Sequence, residues 1–253
     1  MSNLSHHNPP RRRSIFITGN DTGVGKTAVT AALGMALQHQ GFRVEVMKPI
    51  ETGVETSLKD PRDDASRLQS LFNSPSPPDK PSLYQYREPI APLAASRKHH
   101  QPIDLSHIVT THEELLRTSD FVLVEGAGGV MVPLTTQETV RDLIRHLQIP
   151  CIVVSRPTLG SVNHTLLSLH ALRDLDIEVL GVVLNQSSAP QNNNDERLQR
   201  DSTIQLIREL SGTPVVGPIA FEPLFKSEWK QGVSKLASDP AITQLRSILQ
   251  EKT

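Results

Sequence analysis

The sequence predicts one α/β domain, a mostly parallel sheet with helices on both faces. Three observations carry that expectation. Short apolar runs alternate with stretches of helical periodicity along most of the chain, as strands joined by crossover helices do. The runs are continuously apolar rather than alternating, which suits strands covered on both faces. The first of them leads into a glycine-rich turn and then a helix, in "IFITGNDTGVGKTAVTAAL" over residues 15–33. A chain of 253 residues is long enough to bury a substantial core.

The elements follow in order. "SIFITG" (14–19) reads as the first strand, and from Ala28 onward Val29, Ala32, Leu33, Ala36 and Leu37 recur at helical spacing. "RVEVMKP" (43–49), "FVLVEG" (121–126), "CIVVS" (151–155), "VLGVVLN" (179–185) and "PVVGPI" (214–219) make six strands in all. Helices are expected near 62–72, 104–117, 139–147, 161–174 and 196–211. Residues 73–92 hold too many prolines for a helix and read as an ordered loop. The polar "QSSAPQNNND" (186–195) reads as a mobile surface loop. No repeat, heptad or linker divides the domain, expected over 14–253, and "MSNLSHHNPPRRR" (1–13) reads as a disordered, solvated tail.

Composition excludes several classes of function. A net charge of −1 offers no basic field for nucleic acid. No apolar segment approaches membrane-spanning length, and the start of the chain lacks the apolar stretch of a secretory signal. The single cysteine, Cys151, opens an apolar strand with no partner for a disulfide inside the chain, which suits a reducing cytoplasm.

The glycine-rich turn points to a bound nucleotide. Small residues let backbone N–H groups face inward, and the helix start adds partial positive charge. The expected ATP-binding segment is Asp21, Thr22, Gly23, Val24, Gly25, Lys26, Thr27 and Ala28, with Lys26 reaching the β- and γ-phosphates and Thr27 offering its hydroxyl to Mg²⁺. The strict phosphate-loop pattern asks for glycine at position 20, where this chain has Asn20 and places Gly19 one residue earlier. The strand before the loop and the helix after it support the assignment.

In open parallel sheets, ligands sit beyond the carboxyl ends of the strands. After the second strand comes Lys48, in "MKPIETG". After the third comes Glu125, a carboxylate able to meet Mg²⁺, followed by Gly126, Ala127 and Gly128, whose small size admits close approach of a ligand. After the fifth comes Asn185, whose amide suits a base edge. Singly, these read as a surface lysine, a capping acid and a turn residue; shared position on one sheet edge argues otherwise. The pair Asp63-Asp64 in "PRDDASRL" stays open on position alone, since acids at a helix start commonly complement its dipole.

"TGNDTGVGKT", "KPIETG", "DDASRL", "VEGAGGVMVPL", "LGSVNHTLL" and "GVVLN" stand in an order and at spacings that resemble dethiobiotin synthetase, from about residue 14 to 221. "VEGAGG" and "LGSVNHT" are the more specific motifs, because many families share the phosphate loop. The resemblance implies a P-loop NTPase fold and a reaction joining 7,8-diaminopelargonate to CO₂, with ATP and Mg²⁺, to give dethiobiotin, ADP and phosphate. It further implies Lys48 and Lys26 as catalytic residues, Thr27, Asp64 and Glu125 as Mg²⁺ ligands, and Thr52 at the substrate. Asn185 matches the adenine-binding asparagine, with Ile219, Ala220 and Phe221 as the other wall of the base pocket. Leu159, Gly160, Val162 and Asn163 match a segment that reaches the substrate carboxylate from a partner subunit, which implies a homodimer. Gly23, where some members are acidic, Glu51, which makes "KPIETG" more acidic than usual, and the asparagine-rich segment before 196 depart from the family pattern.

Two rivals share the fold branch. Partition and division-site ATPases carry a signature lysine early in the loop, where this chain has Asp21. A cobyrinate-type amidase needs a second domain with a nucleophilic cysteine, and Cys151 lies within a strand.

Overall fold

Residues Arg13–Gly19 form β1, and its Ile15, Phe16 and Ile17 are wholly buried. Alternation along the strand sends Ile15 and Ile17 to one face of the sheet and Phe16 to the other. The computed structural model describes residues 13–54, 63–72, 82–190 and 193–252. The expected tail lies outside them, apart from Arg13, which begins β1 and sets its guanidinium over the Phe121 ring.

From the phosphate loop the chain enters α1 (Lys26–Gln38), returns through β2 (Val44–Met47), and runs through β3 (Ile50–Thr52), α2 (Asp64–Phe72), β4 (Tyr84–Tyr86), α3 (Pro92–His99) and α4 (Leu105–Thr118). Then β5 (Phe121–Gly129), α5 (Val140–Leu147), β6 (Cys151–Ser155), α6 (Ser161–Arg173), β7 (Val179–Asn185), α7 (Asn194–Ser211) and β8 (Val215–Ile219) alternate. The chain closes with α8 (Leu224–Ser227), α9 (Trp229–Ala237) and α10 (Pro240–Lys252).

The six expected strands form one parallel sheet, ordered β2-β5-β1-β6-β7-β8. Helices α1, α2, α9 and α10 cover one face, and α3 to α7 supply most of the cover on the other, so the chain is a single α/β domain. Parallel pairing places the carboxyl ends of all six strands on one edge. Cys151 is a fully buried core thiol, pushed up to about 12 by burial, in keeping with its expected place.

Several elements exceed the expectation. A two-stranded parallel sheet pairs β3 with β4, and β4 lies in the segment read as a loop, whose residues 73–81 fall outside the described ones. Helix α7 begins at Asn194, inside the segment read as mobile, because the Asn193 side chain accepts from Glu196 N (2.8 Å) and caps it.

One contact outside the sheet positions the site. Phe72, the last residue of α2, packs over Gly34 of α1, where an added Cβ would lie 2.6 Å from Phe72 Cζ. A mid-helix glycine costs about 0.5–1 kcal/mol against alanine. Here it permits the close packing of α2 on α1, the helix that follows the phosphate loop.

Candidate active site

The loop between β1 and α1 is held open from below. Gly25 lies at φ 96°, and any Cβ there would run into the Asn185 amide, so only glycine fits on both counts. Asn185, at the end of β7, donates from Nδ2 to Val24 O (2.9 Å) and braces the loop. Among the described residues no side chain caps the first turn of α1, which leaves its N–H groups for an anion. Lys26, 8% exposed, crosses the loop to donate to Asp21 O (3.2 Å), and burial pulls its pKa below the usual lysine value despite Glu125 nearby. Asn20 needs no glycine conformation: its backbone is not left-handed, and its amide donates to Ser155 Oγ (2.8 Å) and Thr165 Oγ1 (3.2 Å).

Opposite the loop, Lys48 leaves the end of β2 buried among carboxylates. Its Nζ lies 2.6 Å from Asp64 Oδ2, 2.8 Å from Glu125 Oε1 and 3.9 Å from Glu51 Oε1. Burial alone would depress this lysine; Glu125, Asp64 and Glu51 together outweigh it and raise its pKa. Asp64 moves the other way: burial disfavours its charge, but the Lys48 ammonium holds it below the usual aspartate value. Burial pushes Glu51 up to about 7, opposed by Lys48. The two acids of the pair point to different partners. Asp63 Oδ1 caps α2 by accepting from Ser66 N (2.8 Å), while Asp64 turns to Lys48.

The Mg²⁺ expectation fits this donor set. Thr27 Oγ1 donates to Glu125 Oε1 (2.8 Å), and Asp64 meets the same ammonium as Glu125. Glu125 Oε2 is buried and finds no hydrogen-bond partner among the described residues, a costly arrangement that a cation would relieve. Among the described residues no three His, Cys, Asp or Glu form a self-sufficient metal cluster. An ion arriving on a nucleotide needs only one or two carboxylates, because phosphate and water complete its shell.

A cleft of about 300 Å³ collects Lys26, Thr27, Lys48, Thr52, Asp64 and Glu125, with Gly126 and Gly128 in its wall. Ala127 instead packs against the core beneath, and Val24 is buried, offering the loop its carbonyl rather than its side chain. Ile219 pairs beside Asn185 across β8 and β7, so 219–221 continue the same edge. The segment 159–163 does not enter the cleft. Leu159 is 87% exposed, Gly160 takes φ 86° just before α6, and Asn163 is exposed on that helix. A second cavity of about 500 Å³ lies between the loop and α6, with Asn20, Thr22, Met131, His164 and Leu167 among its walls.

The family comparison agrees with the motif order. A model of the AAA domain matches residues 13–228. The ATP-dependent dethiobiotin synthetase BioD of Bacillus cereus strain G9842 is 37% identical over 240 residues, 94% of this chain and 95% of that one. The protein of the same name from Thermodesulfovibrio yellowstonii is 38% identical over 215 residues, 81% of this chain and 88% of its own. Among solved structures, the cell division ATPase MinD of Pyrococcus furiosus superposes with a TM-score of 0.58 at 18% identity, covering 96% of this chain and 100% of that one. A ParA family ATPase from Chlorobium tepidum gives 0.55 at 15% identity, with 94% and 98% covered. At such identity the two structures share the fold alone.

Proposed function

The chain belongs to the ATP-dependent dethiobiotin synthetases, within the AAA-domain family, and from that premise we propose how its own residues divide the work. It is an ATP-dependent ligase of biotin biosynthesis that closes the dethiobiotin ring. One amine of 7,8-diaminopelargonate captures CO₂ as a carbamate. A carbamate oxygen attacks the γ-phosphorus and ADP departs. The second amine then attacks the carbonyl carbon of the mixed anhydride, phosphate leaves, and the five-membered ureido ring closes.

Negative charge gathers on the phosphoryl oxygens and the carbamate, so fixed cations are the largest available stabilisation. Lys26 meets the β- and γ-phosphates, and Lys48 faces the carbamate and the transferring group. Thr27, Asp64 and Glu125 would hold Mg²⁺, which when bound neutralises phosphate charge. Thr52 orients the diamine. Asn185 Nδ2 is engaged by Val24, which leaves Oδ1 as an acceptor for the adenine amine, with Ile219, Ala220 and Phe221 alongside. The observation that carries this reading is the Lys48 ammonium bridging Asp64 and Glu125 in the same cleft as Lys26. Phosphate release should require both diaminopelargonate and bicarbonate. Equal ATP hydrolysis without the diamine would favour the switch-type ATPase instead.

For the metal, Asp64→Asn and Glu125→Gln should each raise the Mg²⁺ concentration that supports ATP binding by about tenfold or more. An unchanged Mg²⁺ titration for Asp64→Asn would return that residue to helix capping.

We read the active unit as a cytoplasmic homodimer. The exposed Leu159, Leu167 and Met131, near a helix start able to receive a carboxylate, support a shared site. Among the described residues no helix is long and apolar enough to cross a membrane. Asn163→Ala should weaken diaminopelargonate binding while sparing ATP. Mixing Lys48→Met with a variant whose 159–163 segment is disabled, under subunit exchange, should restore up to half of wild-type activity per heterodimer, because both lesions fall in one site. No recovery despite verified exchange would end the shared-site reading.

A further inference from the structure

Glu51 is buried in β3, within the same cleft as Lys48, yet the chemistry above gives its carboxylate no reacting partner. Lys48 Nζ lies 3.9 Å from its Oε1, and its hydrogen bonds are made at the start of α2. Oε1 accepts from Asp64 N (2.7 Å) and Oε2 from Ala65 N (3.1 Å). Asp63 serves the next free donor, Ser66 N. Glu51 is thus a helix cap supplied from a strand outside the helix, and its charge also favours the positive end of the α2 dipole.

The juxtaposition has a consequence for the reaction. The loop from Lys48 to Glu51 grips one residue twice, through the Asp64 carboxylate by Lys48 and through the Asp64 backbone by Glu51. A carboxylate is aimed accurately only when its backbone is fixed, and small misplacements at a phosphoryl-transfer site are expensive. We propose that Glu51 is a positioning residue for this enzyme, which fixes the first turn of α2 so that Asp64 faces the metal–nucleotide site. The proposal rests on Asp64 being a Mg²⁺ ligand. A cap with a purely structural role would lower the melting temperature and leave the metal requirement alone. A cap that aims Asp64 moves the metal requirement, and only while Asp64 is present.

The test is calorimetric ATP binding titrated with Mg²⁺, for Glu51→Ala and Glu51→Gln, each alone and combined with Asp64→Asn. Glu51→Ala should raise the required Mg²⁺ about tenfold. Glu51→Gln keeps one acceptor oxygen and should fall between it and wild type, and it carries the same comparison if the alanine variant fails to fold. In the Asp64→Asn background neither change should add a shift. Unshifted Glu51 variants beside a shifted Asp64→Asn would overturn this inference alone, as would a full extra shift in the double variants. An unshifted Asp64→Asn would overturn the metal assignment and this inference with it.

Discussion

Replacing Lys48 with methionine should lower kcat by about two to three decades while leaving the ATP dissociation constant nearly unchanged. Methionine keeps much of the side-chain volume and removes the cation. Charge on the carbamate and phosphoryl oxygens peaks in the transition state, so a group that answers it there acts on rate more than on ground-state binding. Loss of one such stabiliser commonly costs about 2–4 kcal/mol. The same substitution should also weaken the fold. Glu125 is 0% exposed, and without Lys48 it loses the ammonium at 2.8 Å. Breaking a buried pair from one side costs roughly 3–5 kcal/mol. Calorimetry at a temperature below the lowered melting point separates the two effects. A variant turning over within twofold of wild type would remove Lys48 from the mechanism.

The second large effect falls on Lys26. Lys26→Ala should weaken ATP binding by about tenfold to a hundredfold and abolish turnover, since hydrogen bonds to charged groups are each worth about 1.5–3 kcal/mol. Its stability profile should be the opposite of that for Lys48. Lys26 makes no ion pair among the described residues and meets only a backbone carbonyl, Asp21 O, at 3.2 Å. Removing it uncovers no buried charge, so the melting temperature should hold while binding falls. Normal ATP affinity in Lys26→Ala, measured by calorimetry, would misplace the phosphate loop.

The six main strands were legible because each is a continuous apolar run bounded by turn residues, and a buried parallel strand has no other pattern to show. Lys26, Thr27, Lys48 and Glu125 were legible because parallel topology sends every strand end to one edge. Three-residue strands such as β3 and β4 carry too short a period to read, and their pairing is decided by tertiary contact. Helix α3 starts on Pro92 after a proline-rich run, so the helix-breaking composition hid a first-turn proline. The spacing of Ile242, Leu245 and Leu249 in α10 was a readable signal in a stretch without motifs. Glu51 stood out as an excess acid, but its partners are backbone N–H groups of α2, and such partners leave no trace in residue type. Asn185 drew attention for its base-reading amide; its bond to Val24 O depends on how β7 sits beneath the loop.

The central claim is that this cleft joins carbonate-derived carbon to a diamine at the expense of ATP. Its most direct test incubates the wild-type protein with 7,8-diaminopelargonate, carbon-13-labelled bicarbonate, ATP and Mg²⁺, and weighs the product by mass spectrometry. The account predicts dethiobiotin carrying the label, formed in step with ADP, and formed about two to three decades more slowly when Lys48→Met replaces the wild type. ADP released without labelled dethiobiotin would contradict it.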